Sequence, residues 1–194
     1  MTVVQFYENV GKANGTRDPL DVYETPGYVT RILLEHVDLD GPVLEPAEGS
    51  GRISRILRDT GLGLEVVGQD IRTGHDFMAY EGPWEGDIVT NPPYRDGLAQ
   101  AFTEHALAVA EGRVAMLLKS GFLWADCRRK LFWQNPPELI LIIPDRVLFV
   151  QRDGTPISGQ VHSHEWLVWP KREDRGPDVT TRMEWSRDLR ELEI

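Results

Sequence analysis

The residues with the most pointed chemistry are Asn91-Pro-Pro-Tyr94, which directly follow the apolar run Asp87-Ile-Val-Thr90. Two consecutive prolines remove two backbone donors and stiffen the chain. The Pro92 carbonyl is therefore held outward as a fixed acceptor, braced by Pro93. Asn91 adds a side-chain acceptor, and Tyr94 adds a flat face. Two acceptors beside a platform suit a planar primary amine, whose N–H groups are gripped while its ring stacks. Such stacking contributes about 1–3 kcal/mol per base, which offsets much of the cost of extruding a base from a helix. A second Asn-Pro-Pro, Asn135–Pro137, precedes an apolar run and carries Glu138 in place of the aromatic residue. It reads as a helix breaker.

A second concentration of chemistry is Glu45-Pro46-Ala-Glu-Gly49-Ser-Gly51, set between a short apolar stretch and the helical spacing Ile53, Ile56, Leu57. Glycines in such a loop adopt dihedrals other residues resist and let backbone approach a ligand. The dinucleotide fingerprint is absent, because Ser54 occupies its third glycine position, and no Lys-Ser/Thr pair follows. Glu45 and Glu48 would repel phosphates, so the loop favours a cationic or amine-bearing ligand. Asp70, nineteen residues after Gly51, ends the next apolar run, where doubly wound folds place a ribose-binding acid. Asp76 and Phe77 set an acceptor beside a ring, a pairing suited to adenine.

These residues need a scaffold that brings successive loops to one edge. Thr25 reads as an N-cap and Pro26 as the opening of a helix carrying Val29, Ile32, Leu33 and Val37, stopped at Gly41-Pro42. Strands are predicted at Val43–Pro46, Glu65–Asp70, Asp87–Thr90, Val114–Leu118 and Leu139–Ile143. A further helix carries Leu98, Phe102, Ala106 and Val109. Strands apolar on both faces, alternating with short helices, indicate a mostly parallel sheet with helical crossovers. His164-Glu-Trp-Leu-Val-Trp169 alternates with period two and reads as a late antiparallel strand. The fold class is α/β, one doubly wound Rossmann-like domain over 23–170, with an irregular arm at 1–22 and a peripheral tail at 171–194.

The chain has 194 residues and a formal charge of −10, which argues against a general polyanion binder. The charge is unevenly distributed. Residues 1–112 carry 8 basic and 19 acidic side chains, whereas 113–152 carry 7 basic and 3 acidic. Lys119, Arg128, Arg129 and Lys130 are the candidates for phosphate contact. A single cysteine, Cys127, leaves no internal disulfide and no CxxC metal site. His162 and His164 lack a third ligand nearby in sequence, so packing is their expected role and no metal is expected. No apolar run approaches the ~20 residues a bilayer requires, and no secretory signal is visible, so a reducing cytoplasm is expected.

In order, Tyr23-Glu-Thr-Pro26, Glu45–Gly51, Asp70, Asp76-Phe77 and Asn91-Pro-Pro-Tyr94 resemble the S-adenosylmethionine-dependent amino-methyltransferases, especially N6-adenine DNA methyltransferases of gamma-type order. The resemblance runs from Tyr23 to Trp169. The segments at Pro144–Phe149 and His164–Trp169 look like small phage-borne members, which implies the cytoplasm of a bacterium or phage-infected host and a restriction-modification setting. The resemblance implies S-adenosylmethionine as cofactor. Thr25, Pro26 and Glu45 would hold its methionine end, Asp70 its ribose, and Asp76 and Phe77 its adenine. Tyr23, Pro46, Gly49, Gly51 and Asn91 would complete that site. Asn91, Pro92, Pro93 and Tyr94 would hold the flipped adenine of DNA for direct in-line methyl transfer. C5-cytosine chemistry does not fit, because Cys127 follows Asp126 rather than a proline.

Target-recognition domains are usual in that family, and 194 residues leave no room for one. Specificity would then fall to the loops Gly121–Pro137 and Arg146–Gln160. N5-methylation of a protein glutamine stays open, since the same four residues serve a carboxamide and the negative charge suits a protein partner. Adenine in RNA stays open too, as does an idle module that binds only cofactor or a partner. The Glu-Pro loop and the Trp-rich strand look more like the DNA group.

Overall fold

Strands apolar on both faces require a helical layer on each side. The computed structural model describes residues 24–144, 147–150 and 162–187. Seven strands form one sheet: β1 (Val43–Glu45), β2 (Val66–Gly68), β3 (Asp87–Thr90), β4 (Val114–Lys119), β5 (Leu139–Ile142), β6 (His164–Trp169) and β7 (Arg182–Trp185). Their order is β2-β1-β3-β4-β6-β5-β7. The first four are mutually parallel, β7 is parallel to β5, and β6 runs antiparallel to both its neighbours. Helices α1 (Gly27–Leu34) and α2 (Arg52–Asp59) cover one face, and α3 (Leu98–Val109) and α4 (Arg129–Gln134) the other.

Strand periodicity divides the core in two. Val43, Val89, Leu117 and Trp166 join the α1/α2 side. Leu44, Ile88, Met116 and Leu167 join the α3/α4 side. The α/β doubly wound expectation therefore holds, late antiparallel strand included. Among the described residues, no helix is long and apolar enough to cross a membrane.

Local expectations hold in part. The strand β6 is the expected late antiparallel strand, and it is buried along its whole length because it is inserted between β4 and β5. Both of its indoles still find acceptors, Trp166 at the Val29 carbonyl (2.9 Å) and Trp169 at the Asn135 carbonyl (2.7 Å). The second Asn-Pro-Pro does end a helix, with Asn135 at the C-cap of α4. Conversely, β2 is shorter and more exposed than its apolar sequence suggests, being the edge strand. The helix α1 stops at Leu34, and Val37 reaches the same core from the following turn. Thr25 does not cap it: Pro26 stands at the N-cap, and the Thr25 hydroxyl accepts from Asn91 instead.

Residues 171–187 supply edge strand β7 and, in Arg175, a plug for the end of α3. The Arg175 guanidinium donates to the carbonyls of Leu107 (2.7 Å), Ala110 (3.1 Å) and Gly112, where a cation also complements the helix dipole. The arm at 1–22, Tyr23, and Arg146 with 151–160 of the second specificity loop lie outside the described residues.

Candidate functional site

In an open α/β sheet, ligands bind beyond the strand carboxyl ends where the chain reverses its direction of winding. Here the chain passes from β1 out to β2 and returns to β3. At that point the loops after all three strands enclose a cleft of about 890 Å³, open mouth included. Its walls bring together Thr25, Glu45, Pro46, Gly49, Asp70, Asp76, Phe77 and the whole of Asn91–Tyr94. Gly51 and Pro26 are not on its surface. They shape the elements behind it, Gly51 as the N-cap of α2 and Pro26 as that of α1.

The glycines of the loop after β1 have a geometric reason. Gly49 and Gly51 hold φ of +62° and +80°, values that cost side-chain-bearing residues free energy. The turn at Gly49 aims its amide at Asp70 Oδ2 (3.0 Å). With Gly51 at the N-cap, α2 has no capping side chain of its own, and Glu45 supplies one from the strand. Its Oε2 accepts from the Ser54 amide (2.8 Å) and the Ser54 hydroxyl. Burial pushes the Glu45 carboxyl up to about 8, overriding these hydrogen bonds. At neutral pH Glu45 is mostly neutral, a helix cap more than a counter-ion.

Asp70 has the opposite character. Burial would raise its pKa, but the Arg72 side chain and amide, and then the Gly49 amide, hold it below the ordinary carboxylate range. Its Oδ1 takes the Arg72 amide (2.8 Å) and Nε (2.8 Å), and its Oδ2 takes Arg72 Nη2 (3.0 Å) and Gly49. A carboxylate has about four lone-pair sites; all four are engaged. Further along, Asp76 Oδ1 accepts from the Met78 amide (3.0 Å). Phe77 is buried against Phe102, with ring centroids 5.1 Å apart.

The third wall is the proline loop. Asn91 Nδ2 donates to Thr25 Oγ1 at 3.1 Å, which ties this loop to the segment before α1 and leaves Oδ1 as the acceptor end of the amide. The last β3–β4 register pair is Thr90 with Met116. Just past it, the Tyr94 hydroxyl donates to the Leu117 carbonyl (2.6 Å). Lys119 Nζ lies 4.6 Å from the Tyr94 ring centroid, and His164 meets the ring edge-on at 5.9 Å. Burial first, then the Lys119 and His162 charges, push His164 down to about 4. It is a neutral packing residue.

Of the lining residues that escape a sequence reading, two bear most on the chemistry. Arg72 is one. Glu24 is the other: it is 3% exposed, bonded through Oε2 to the Ser50 hydroxyl, with Arg52 Nε at 3.6 Å. Its Oε1 is buried with no hydrogen-bond partner among the described residues. A buried unsatisfied carboxylate oxygen on a ligand cleft is costly unless a ligand satisfies it. Its only sequence signal is its place inside Tyr23-Glu-Thr-Pro26. Of the basic candidates, Lys119 lies over the ring of the cleft-lining Tyr94 and Arg128 is committed to Phe122, 4.0 Å over its ring and 3.1 Å from its carbonyl. Arg129 and Lys130 are exposed, Arg129 facing Asp126 at 3.5 Å.

The sequence matches no family model and no curated protein. Solved structures do match it. One is a crystal structure described as a "putative RNA methyltransferase" from Pyrococcus horikoshii, 13% identical, with a TM-score of 0.53. The match covers 88% of this chain and 98% of that one. At this identity the likeness shows a shared fold.

Proposed function

We propose that this protein transfers a methyl group from S-adenosylmethionine to the exocyclic amine of adenine in nucleic acid, with DNA as the first candidate substrate. One observation carries the reading. The Asn91–Thr25 hydrogen bond ties the amine-gripping loop to the wall that holds the unsatisfied Glu24 carboxylate, so two differently equipped half-sites share one cleft.

The residues present fit the cofactor. The Glu24 oxygen suits its ammonium and Asp76 with Phe77 its adenine, whereas Asp70 would take a ribose hydroxyl only in exchange for one of its Arg72 or Gly49 donors. Bound there, S-adenosylmethionine supplies a methyl group on an electron-poor sulfonium. The remaining work falls to this chain's own residues. The lone pair of a ring amine is delocalised and poorly nucleophilic. Acceptors at Asn91 Oδ1 and the Pro92 carbonyl draw the amine hydrogens out of the ring plane and localise that pair. They also stabilise the positive charge that develops on nitrogen. Tyr94 fixes the plane of the target, held in place by its Leu117 bond.

The test is labelled methyl transfer to DNA, RNA and protein pools, followed by nucleoside and amino-acid analysis, with Asn91→Ala as control. N6-methyladenine in DNA, lost in the variant while cofactor binding persists, supports the reading. Near-parental transfer by Asn91→Ala refutes the role given to the loop. Adenine in RNA is the second reading, with which the description of the structural neighbour is compatible. Methylated glutamine in the protein pool would replace both. Phosphate contacts make nucleic-acid affinity fall with salt, so a salt-insensitive rate also counts against a polynucleotide substrate.

A further inference from the structure

The segment leaving β4 carries two tryptophans that the fold does not use. Trp166 and Trp169 are fully buried, whereas Trp124 is 84% exposed and Trp133 78% exposed. Between them stand Arg128, Arg129 and Lys130, and Asp126 is the only acid from 120 to 134. Within α4, Leu131 and Phe132 turn to the core and Arg129, Lys130 and Trp133 turn to solvent. Residues three and four apart on a helix are neighbours, so Trp133 lies beside both cations.

This surface adjoins the cleft at two points. Lys119, where the segment begins, lies over the Tyr94 ring. Cys127 Sγ is 4.0 Å from Gln100 Oε1, two residues beyond the cleft-lining Leu98.

We propose that the solvent face of α4 carrying Arg129, Lys130 and Trp133, together with the exposed Trp124 just upstream, docks an unpaired nucleic-acid strand and feeds it to the cleft, which makes a single strand, not a duplex, the preferred substrate. The proposal rests on the adenine-methylating reading above. Two arguments select this occupant. An exposed indole stacks on a base only where the base has left its helix, and cations interleaved with aromatics are how sequence-tolerant single-strand sites are built. The charge pattern limits the footprint as well. Outside this region the chain is strongly acidic, with 19 acidic against 8 basic residues over 1–112. A long rigid duplex would lie against that acid, whereas a flexible strand can follow the short basic path.

The experiment measures anisotropy of a labelled, adenine-containing strand of about 16 nucleotides, single or annealed, with the full-length protein. The strand should bind at least tenfold more tightly than its duplex. Trp124→Ala and Trp133→Ala should each weaken it about tenfold, and the Arg129→Glu/Lys130→Glu pair should weaken it and flatten its salt dependence. These side chains are exposed, so circular dichroism should match the parent. S-adenosylhomocysteine binding, followed by calorimetry, should be unchanged in every variant. Duplex preference, or tryptophan variants that bind like the parent, overturns the proposal. So does a parent that binds S-adenosylhomocysteine but no strand. A parent that binds the strand through these residues yet methylates no adenine leaves the docking surface standing and refutes the function instead.

Discussion

Replacing Glu45 with Gln tests whether the carboxyl behind the cofactor loop is a buried, neutral helix cap. Glutamine keeps a carbonyl oxygen for the Ser54 amide and hydroxyl but carries no charge at any pH. In the folded protein burial raises the carboxyl from 4.5 to about 8. Between those values the folded state holds a proton the unfolded state has released, so parental stability falls as pH rises. A tenfold change in proton affinity corresponds to about 1.4 kcal/mol, and the linkage integral from about pH 5 to pH 8 comes to roughly 3 kcal/mol. Asp87 and Glu165 are also raised, chiefly by burial, but they titrate in both proteins and cancel. Urea unfolding of the two at matched pH should show Glu45→Gln gaining about 3 kcal/mol on the parent across that range. A flat difference would mean that Glu45 is solvated and ionised. A difference of opposite sign would mean that the donors at the start of α2 outweigh desolvation.

Three further outcomes follow from the site. Glu24→Gln removes the charge facing the cleft while keeping its shape, and should weaken S-adenosylhomocysteine binding by about tenfold or more in calorimetry, since hydrogen bonds to charged groups contribute about 1.5–3 kcal/mol; unchanged affinity would assign Glu24 to structure alone. Tyr94→Phe loses the bond to the Leu117 carbonyl and should cost about 1 kcal/mol of stability while keeping the stacking face, so kcat should fall less than in Asn91→Ala. Gly51→Ala must hold φ at +80°, and about 1–2 kcal/mol of destabilisation is expected, read as a lower Tm.

Much of the site was legible because its chemistry is written in contiguous residues. The proline loop and the glycine loop each identify themselves, and β strands between them bring both to one edge. What stayed hidden depends on the third dimension. Nothing about Glu24 in sequence says that it is buried, because that follows from its position against Gly49 and Ser50. The Arg72–Asp70 pair is only two residues apart, yet a ribose-type acid already saturated by its own neighbour is visible only as geometry. The strand β6 illustrates the same limit in the fold: period-two patterning marked it as an antiparallel strand, but its insertion between β4 and β5, which buries both faces, is visible only in the sheet order. Edge strand β2 is the converse, its apolar residues lying half-exposed where no further strand covers them.

The placement of β6 also governs how the sheet is assembled. Strands β4 and β5 share no ladder; each hydrogen-bonds to β6, made 45 residues after β4 ends. The half-sheet that carries the cleft and strand β5 are thus unconnected until residues 164–169 lie between them, and β7, later still in the chain, covers the outer edge of β5. Ribosomal products ending short of His164 would expose one edge of β4 and both edges of β5, a template for intermolecular pairing. The seam is closed by a segment holding two fully buried indoles, so the wedge that joins the two parts is also among the hardest to withdraw.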